Sequence, residues 1–312
     1  MYKLTPEVKH FLRTAKPQSR AIATIEAIKS SRSDKPDPKI LAKLSGWGSI
    51  QKLIWDENKY PKLRRELEEL LTPEQMEHAR KGTFWAFHTE PTYIKMMWDV
   101  ISKAGFTGGR ILDPCCGSGH YFGMMLDFDL PCELWATEID PIAANVAKCL
   151  YPEAKVINIG FEDFKIPDGY FDLAISNVPF GDTKICDRDC TYQSNLSIHN
   201  YFVEKMLRKV RAGGLIAVIT SSFFRDNKDS SFRNWLSQRA ELVGSTRLHR
   251  EAFKAFAGTE VCTDVLFFRK FHDGETRDEI PAWVETEEIE VNGTIVRTNC
   301  LVAEDIRNGN CI

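Results

Sequence analysis

Long apolar runs are the first thing missing from this 312-residue chain. No stretch approaches the roughly 18 consecutive apolar residues of a membrane-spanning helix. The opening MYKLTPEVKHFLRTAK also lacks the apolar centre of a secretory signal. These absences set the expectation of a cytoplasmic protein with no membrane partner. A dominant charge is missing too: 41 Lys and Arg stand against 44 Asp and Glu, a net −3, so composition carries no global signature of a nucleic-acid binder. The nine cysteines are odd in number and do not form the two spaced pairs of a zinc ribbon, which favours buried, reduced thiols over a disulfide framework. Cys186 and Cys190, with His199 near them, are the one cluster weighed as metal ligands, and no metal is expected. Internal repeats and long low-complexity segments are absent.

What charge there is lies unevenly. Residues 1–55 hold eleven Lys and Arg against four Asp and Glu, a local +7, a pattern that suits either a solvated helix face or a phosphate contact. SSRSDKPDPK, residues 30–39, has the composition of a loop. In KYPKLRRELEELLTPEQMEHAR the leucines at 63, 67, 70 and 71 keep the three-and-four spacing of an amphipathic helix, interrupted at Thr72-Pro73. The first hundred residues therefore read as mostly helical.

From Arg110 onward, short apolar runs alternate with helical patterns. RILDP, ELWATEID, AKVINI, FDLAISN and LIAVIT are expected strands, with helices beginning near Tyr121, Pro141 and Ser197. That alternation predicts an α/β fold with a mostly parallel sheet covered by helices on both faces. LVGSTRL and TDVLFFRKF, separated by the loop-like EAFKAFAGTEVC, are expected to add an antiparallel pair at the end of the sheet.

Four motifs fall at the ends of these strands. DPCCGSGHY, Asp113 to Tyr121, places glycines at 117 and 119, where the chain can turn tightly and approach a ligand ahead of a helix N-terminus. The second strand ends in ATEIDP, and Glu138 lies about 19 residues past Gly119, close to the spacing at which a carboxylate meets ribose hydroxyls. A full GxGxxG is lacking, since the third glycine is displaced by one to Gly123, and Asp113 repels phosphate while suiting an ammonium group. An amino-acid-bearing nucleoside, S-adenosylmethionine, fits this set better than NAD. GFEDF after the third strand offers Asp163 to an adenine amino group and Phe164 as cover for the ring. The fourth strand delivers NVPF, Asn177 to Phe180, within SNVPFGD.

The order D-P-x-x-G-S-G, acidic second strand end, acidic-aromatic third loop, N-x-P-F resembles that of S-adenosylmethionine-dependent amino methyltransferases, in which the last motif more often reads N-P-P-F or N-P-P-Y. The chain departs from this pattern at Val178. The likeness is closer to one branch, the methyltransferase domain of large phage and plasmid proteins that join a helicase-like region to an adenine-N6 DNA methyltransferase. SNVPFGD, SIHNYF (197–202), RAGGLIAVITSSFFRD (211–226), EAFKAFAGTEVCTDVLFFRK (251–270) and GWG (46–48) carry it.

The resemblance implies a Rossmann-like, doubly wound, seven-stranded sheet with an antiparallel last strand. It further implies a helical segment over 1–82, a methyltransferase domain over 83–272 and a short extension over 273–312. It makes Thr89 (in FWAFHTEP), Asp113, Pro114, Gly117, Gly119, Glu138, Ile139, Asp163 and Phe164 cofactor contacts. Asn177, Val178, Pro179 and Phe180 become the catalytic group. The amide oxygen of Asn177 and the carbonyl of Val178 would accept the two N–H bonds of an exocyclic amine, and Phe180 would stack on a flipped base.

The implied partner is DNA, duplex or single-stranded. Only about forty residues follow Phe271, too few for an ordinary recognition domain, so recognition is expected from the basic N-terminal segment, from a separate recognition or helicase subunit, or from a longer parent chain. Two other readings stay open: the same chemistry on an RNA amine or a protein glutamine amide, and a non-catalytic cofactor-binding subunit.

Overall fold

The computed structural model describes residues 1–181, 183–190, 196–248, 262–291 and 293–307. Seven strands form one sheet: β1 Gly109–Asp113, β2 Cys132–Thr137, β3 Lys155–Ile157, β4 Phe171–Asn177, β5 Val210–Ser221, β6 Ala240–Leu248 and β7 Thr263–Lys270. Their order across the sheet is β3-β2-β1-β4-β5-β7-β6. The pairs among the first five are parallel, and β7 runs antiparallel to both β5 and β6. This is the α/β architecture expected from the alternating pattern, with the antiparallel strand inserted between its two neighbours. The loop-like EAFKAFAGTEVC lies outside the described residues except for its last, Cys262.

Side-chain alternation divides the core between the two faces of the sheet. Ile111, Ile175, Ile219, Val265 and Phe267 point into one cluster with the helices Pro91–Lys103 and Pro141–Leu150. Leu112, Ala174, Val218, Leu266 and Phe268 point into the other, with the helix Ile198–Lys209. Successive strand residues face opposite ways, and covering both faces with helices explains why β4 reads as a nearly unbroken apolar run.

Residues 1–82 are mostly helical, as their spacing predicts. The Thr72-Pro73 interruption is a capping box, in which the Thr72 hydroxyl accepts from Gln75 N–H and the Gln75 side chain accepts from Thr72 N–H. A small core of Ile25, Trp47, Ile50, Leu53 and Leu67 reaches Ile142 on the helix after β2, so this segment packs against the sheet domain. At the other end, β8 Thr286–Val291 and β9 Thr294–Asn299 form a separate antiparallel hairpin followed by the helix Cys300–Arg307. Trp283 and Val284 anchor that unit in the second core cluster. No described helix is long and apolar enough to cross a membrane.

Candidate active site

The order of strands reverses direction at β1, which has β2 on one side and β4 on the other. Such a switch point leaves a crevice beyond the carboxyl ends of the strands, and here a cavity of about 600 Å³ opens there. Its walls come from the turn after β1 (Pro114 to Gly117), the turn after β2 (Glu138 to Asp140), the loop after β3 (Ile159 to Glu162), the end of β4 (Asn177) and the loop after it (Pro179 and Thr183 to Cys186). The N-terminal helical segment, with Trp47 and Lys81, and the stretch that follows it, with Phe87, His88 and Thr89, close the cavity.

The glycine turn is shaped by close approach. Gly117 and Gly119 adopt φ of +54° and +79°, and a Cβ at Gly119 would stand 2.6 Å from the Tyr151 ring. At Gly117 the same atom would meet His88 Nε2 at 2.7 Å. Cys116 N–H donates to the Thr137 carbonyl and Thr137 Oγ1 to the Pro114 carbonyl, so the turn is held against the end of β2.

Two carboxylates face this turn from below and beside it. Asp113 is fully buried; its Oδ1 accepts from Ser176 Oγ at 2.6 Å and from Cys115 N–H at 3.3 Å. Its Oδ2 is buried with no hydrogen-bond partner among the described residues. Glu138 is 8% exposed and accepts one backbone N–H on each oxygen, from Gly117 at 2.7 Å and from Asp140 at 2.8 Å. Burial pushes the Asp113 carboxyl up to about 7 against the opposing pull of the Ser176 bond. Burial, with the neighbouring Asp140 charge, pushes Glu138 up to about 7 as well. Both carboxyls therefore have unmet capacity for a cation or for hydroxyl donors.

Asn177 ends β4 at the cavity wall. Its Nδ2–H donates to the Phe87 carbonyl at 3.2 Å, whereas Oδ1 is buried without a partner among the described residues. Because a carbonyl cannot donate, this bond fixes which end of the amide faces Phe87. Val178 is 1% exposed, and its N–H donates to the Ile219 carbonyl, extending the β4–β5 pairing by one residue. A proline here would lack that donor, so the departure from N-P-P gives the loop a backbone tether. Pro179 lines the cavity, whereas Val178 and the half-buried Phe180 are not part of its lining.

The structure brings Thr89, Pro114, Gly117, Glu138, Ile139, Asn177 and Pro179 to one cavity. Asp113 and Gly119 lie behind the wall in buried positions. The loop after β3 is arranged differently from the sequence reading: Asp163 is exposed, and Phe164 is buried at 1% exposure with its ring stacked on Phe171. Residues 161–163 form a 3-10 turn that Phe164 leaves in an extended conformation. Phe161 and Glu162 are the ones that reach the cavity.

Sequence reading takes Trp47 only as part of GWG and assigns it no place at the site, where its indole N–H donates to Asp140; it also passes over the pair His88 and His120, in edge-to-face contact at 4.9 Å. Both imidazoles are held neutral chiefly by burial, His120 with its pKa lowered to about 4. These contacts join segments remote in sequence, and no local pattern announces them. Among the described residues, no group of three or more His, Cys, Asp or Glu side chains is placed to hold a metal ion.

The fold is that of the S-adenosylmethionine-dependent methyltransferases. A Listeria monocytogenes protein assigned to class I of these enzymes superposes with a TM-score of 0.53 at 15% identity, over 88% of this chain and 92% of that one. No family model matches the chain. It is 29% identical over 206 residues, 64% of its length, to the defense against restriction protein B of Escherichia phage P1, and the match spans 9% of the phage protein's length. The resemblance to a phage protein read from the motifs thus has a counterpart in a match over 64% of the chain. An rRNA N(6)-adenosine-methyltransferase of Caenorhabditis elegans is 25% identical over 192 residues, 57% of this chain and 83% of that protein.

Proposed function

We propose that the chain transfers a methyl group from S-adenosylmethionine to the exocyclic N6 amine of an adenine in DNA. The observation that carries this reading is Asn177, with its amide donor spent on the Phe87 carbonyl and its oxygen left as an unpartnered acceptor at the cavity wall.

The cavity residues fit the cofactor. Asp113, behind the glycine turn that forms the wall, sets a buried, half-satisfied carboxyl suited to an ammonium group held at that turn, and Glu138, in the wall itself, keeps lone pairs on both oxygens for ribose hydroxyls. The bare Gly117 leaves space where a side chain would strike His88. Ile139 and Phe161 supply apolar surface for a purine. When bound, S-adenosylmethionine supplies an electrophilic methyl group on a positively charged sulfur.

The protein's part is to make a poor nucleophile competent. The lone pair of an adenine amine is delocalised into the ring. Asn177 Oδ1 would accept one of its N–H bonds and the Val178 carbonyl the other, favouring a tetrahedral nitrogen whose lone pair is free to attack. Acceptors fixed before reaction in a site shielded from water stabilise charge that develops in the transition state. Loss of the nitrogen's proton follows transfer, so no general base is needed among these side chains. Phe180 would stack on the extruded base, a contact worth about 1–3 kcal/mol per base in comparable sites.

The longer phage match and the segments shared with that branch favour DNA as acceptor. The Caenorhabditis elegans relative, named for rRNA adenosine, supports RNA adenine as a second reading. A separate recognition or helicase subunit is the proposed source of sequence selectivity. The test is nucleoside mass spectrometry after incubation with labelled S-adenosylmethionine and, in parallel, duplex DNA, single-stranded DNA and rRNA. N6-methyladenine in either DNA sample is the expected result. Label only in rRNA would transfer the reading to RNA, and cofactor binding with no labelled nucleoside would refute both.

A further inference from the structure

The turn GWG, residues 46–48, lies far from the strand ends in sequence but packs on the segment that closes the cavity. Gly46 has φ +76°, and a Cβ there would stand 2.3 Å from the Ala86 carbonyl oxygen. Gly48 N–H donates to that same oxygen at 3.1 Å. At Gly48 a Cβ would lie 2.0 Å from Cε1 and 2.2 Å from Cδ1 of the Phe87 ring. No side-chain carbon can be accommodated at such distances without the ring moving. The ring occupies the place that any larger residue at 48 would need.

Phe87 is also the residue whose carbonyl receives the Asn177 amide. Ring and carbonyl belong to one short segment, tied at 86 to Gly48 and at 89 to Tyr121 through the Thr89 hydroxyl. With its neighbour Ala86 bonded to Gly48 N–H, the segment has little room to yield at the ring alone, and on the proposal below a Cβ at 48 is accommodated by a shift of the Phe87 backbone that carries the carbonyl. Freed from it, the Asn177 amide is able to turn over, which exchanges the acceptor Oδ1 for a pair of donors.

We propose that Gly48 is a positioning residue for the methyl acceptor. By leaving room for the Phe87 ring it holds the Phe87 carbonyl against the Asn177 amide, and so keeps Oδ1 turned to the target amine. This deepens the function proposed above and rests on it for the role of Oδ1. It assigns the N-terminal helical segment a part in the chemistry itself, since its turn sets the orientation of a side chain on β4.

The test compares Gly48→Ala, Phe87→Ala and the double variant in the full chain. With labelled S-adenosylmethionine and DNA both saturating, Gly48→Ala is expected to lower turnover about 10- to 100-fold, the range for a catalytic contact shifted by a fraction of an ångström to one lost, while cofactor affinity by calorimetry stays within about twofold. Phe87→Ala removes the ring and keeps the carbonyl, so the double variant is expected to recover to within about threefold of Phe87→Ala alone.

A second readout does not need activity: the side-chain NH2 resonance pair of Asn177, assigned by its disappearance in Asn177→Asp. It is expected to shift in Gly48→Ala and return in the double variant. Wild-type turnover in Gly48→Ala, a loss that Phe87→Ala fails to relieve, or an unmoved resonance pair would each overturn the proposal. If the wild-type chain methylates nothing while the resonance pair responds as expected, the positioning stands and the assigned reaction falls.

Discussion

The Ser176 hydroxyl, on β4, donates to Asp113 Oδ1, on β1, at 2.6 Å, and the second oxygen of that carboxyl is left buried without a partner among the described residues. Neighbouring parallel strands thus present one carboxyl that is only half satisfied. Burial raises it, and Glu138 beside it, to about 7. Both folded values exceed the unfolded carboxyl range of about 4, so the folded chain binds more protons between those limits. Their contribution to stability is greatest at acid pH, declines as pH rises from about 4 to about 7, and is flat above. Thermal denaturation without cofactor should show this decline on top of the other titrations. Affinity for S-adenosylmethionine should rise through the same region, because an ammonium group prefers ionised Asp113. Asp113→Asn should flatten both profiles, and profiles unchanged by that substitution would contradict the assignment.

Replacing Asn177 by Ala removes the acceptor oxygen and leaves the carboxyls that hold the cofactor. Turnover should fall by a factor of about 100 or more, as when one transition-state hydrogen-bond partner is removed, with S-adenosylmethionine affinity preserved. Single-turnover kinetics beside calorimetry separates the two. Unchanged turnover would remove Asn177 from the mechanism.

Glu138→Ala should have the opposite signature. The two backbone N–H groups it now caps would be left to water and the ribose would lose its acceptor. A cofactor dissociation constant raised about tenfold or more, the scale of a lost charged hydrogen bond, is expected by calorimetry. An unaltered constant would show that the ribose is held elsewhere.

The loop that follows NVPF is fastened by an ion pair between Lys205 and Asp187, both side chains 1% exposed, with Tyr201 OH donating to the same carboxylate. Removing one member leaves a buried charge, at a cost of about 3–5 kcal/mol. Lys205→Ala should accordingly lower the denaturation midpoint sharply. Because residues 183–186 line the cavity, acceptor KM should rise as well. Lys205→Ala with Asp187→Asn should recover part of the stability, and a Lys205→Ala chain as stable as the wild type would show that the pair contributes nothing.

Gly119→Ala places a methyl group 2.6 Å from the Tyr151 ring at a φ of +79°. Left-handed strain alone costs about 1–2 kcal/mol, and the contact adds to it. Chemical denaturation should show a loss above that figure, with weaker cofactor binding. A neutral effect would mean that the turn has freedom its packing does not suggest.

Much of the fold is legible in the order of residues because strand and helix leave periodic marks. The apolar runs from Arg110 to Thr220 map onto β1 to β5, and Ser197, where the pattern starts a helix, immediately precedes the helix Ile198–Lys209. DPCCGSG and NVPF announce strand ends that need glycine or a fixed amide, so they too are visible locally. The loop after β3 shows the limit of such reading. GFEDF names an acid and an aromatic ring, yet only where the 3-10 turn begins and ends decides that Phe161 and Glu162 reach the cavity while Phe164 stacks on Phe171.

By itself, then, the sequence determined the strand-helix alternation, the glycine turn, the carboxylate ending β2 and the amide ending β4, since each is a local requirement written in neighbouring residues. Tertiary structure alone decided that Asp113 is half satisfied, that Asn177 turns its oxygen away from Phe87, and that Gly48 makes room for the ring that keeps it so. Those relationships join residues tens of positions apart, and only folding the chain sets the distances on which their chemistry depends.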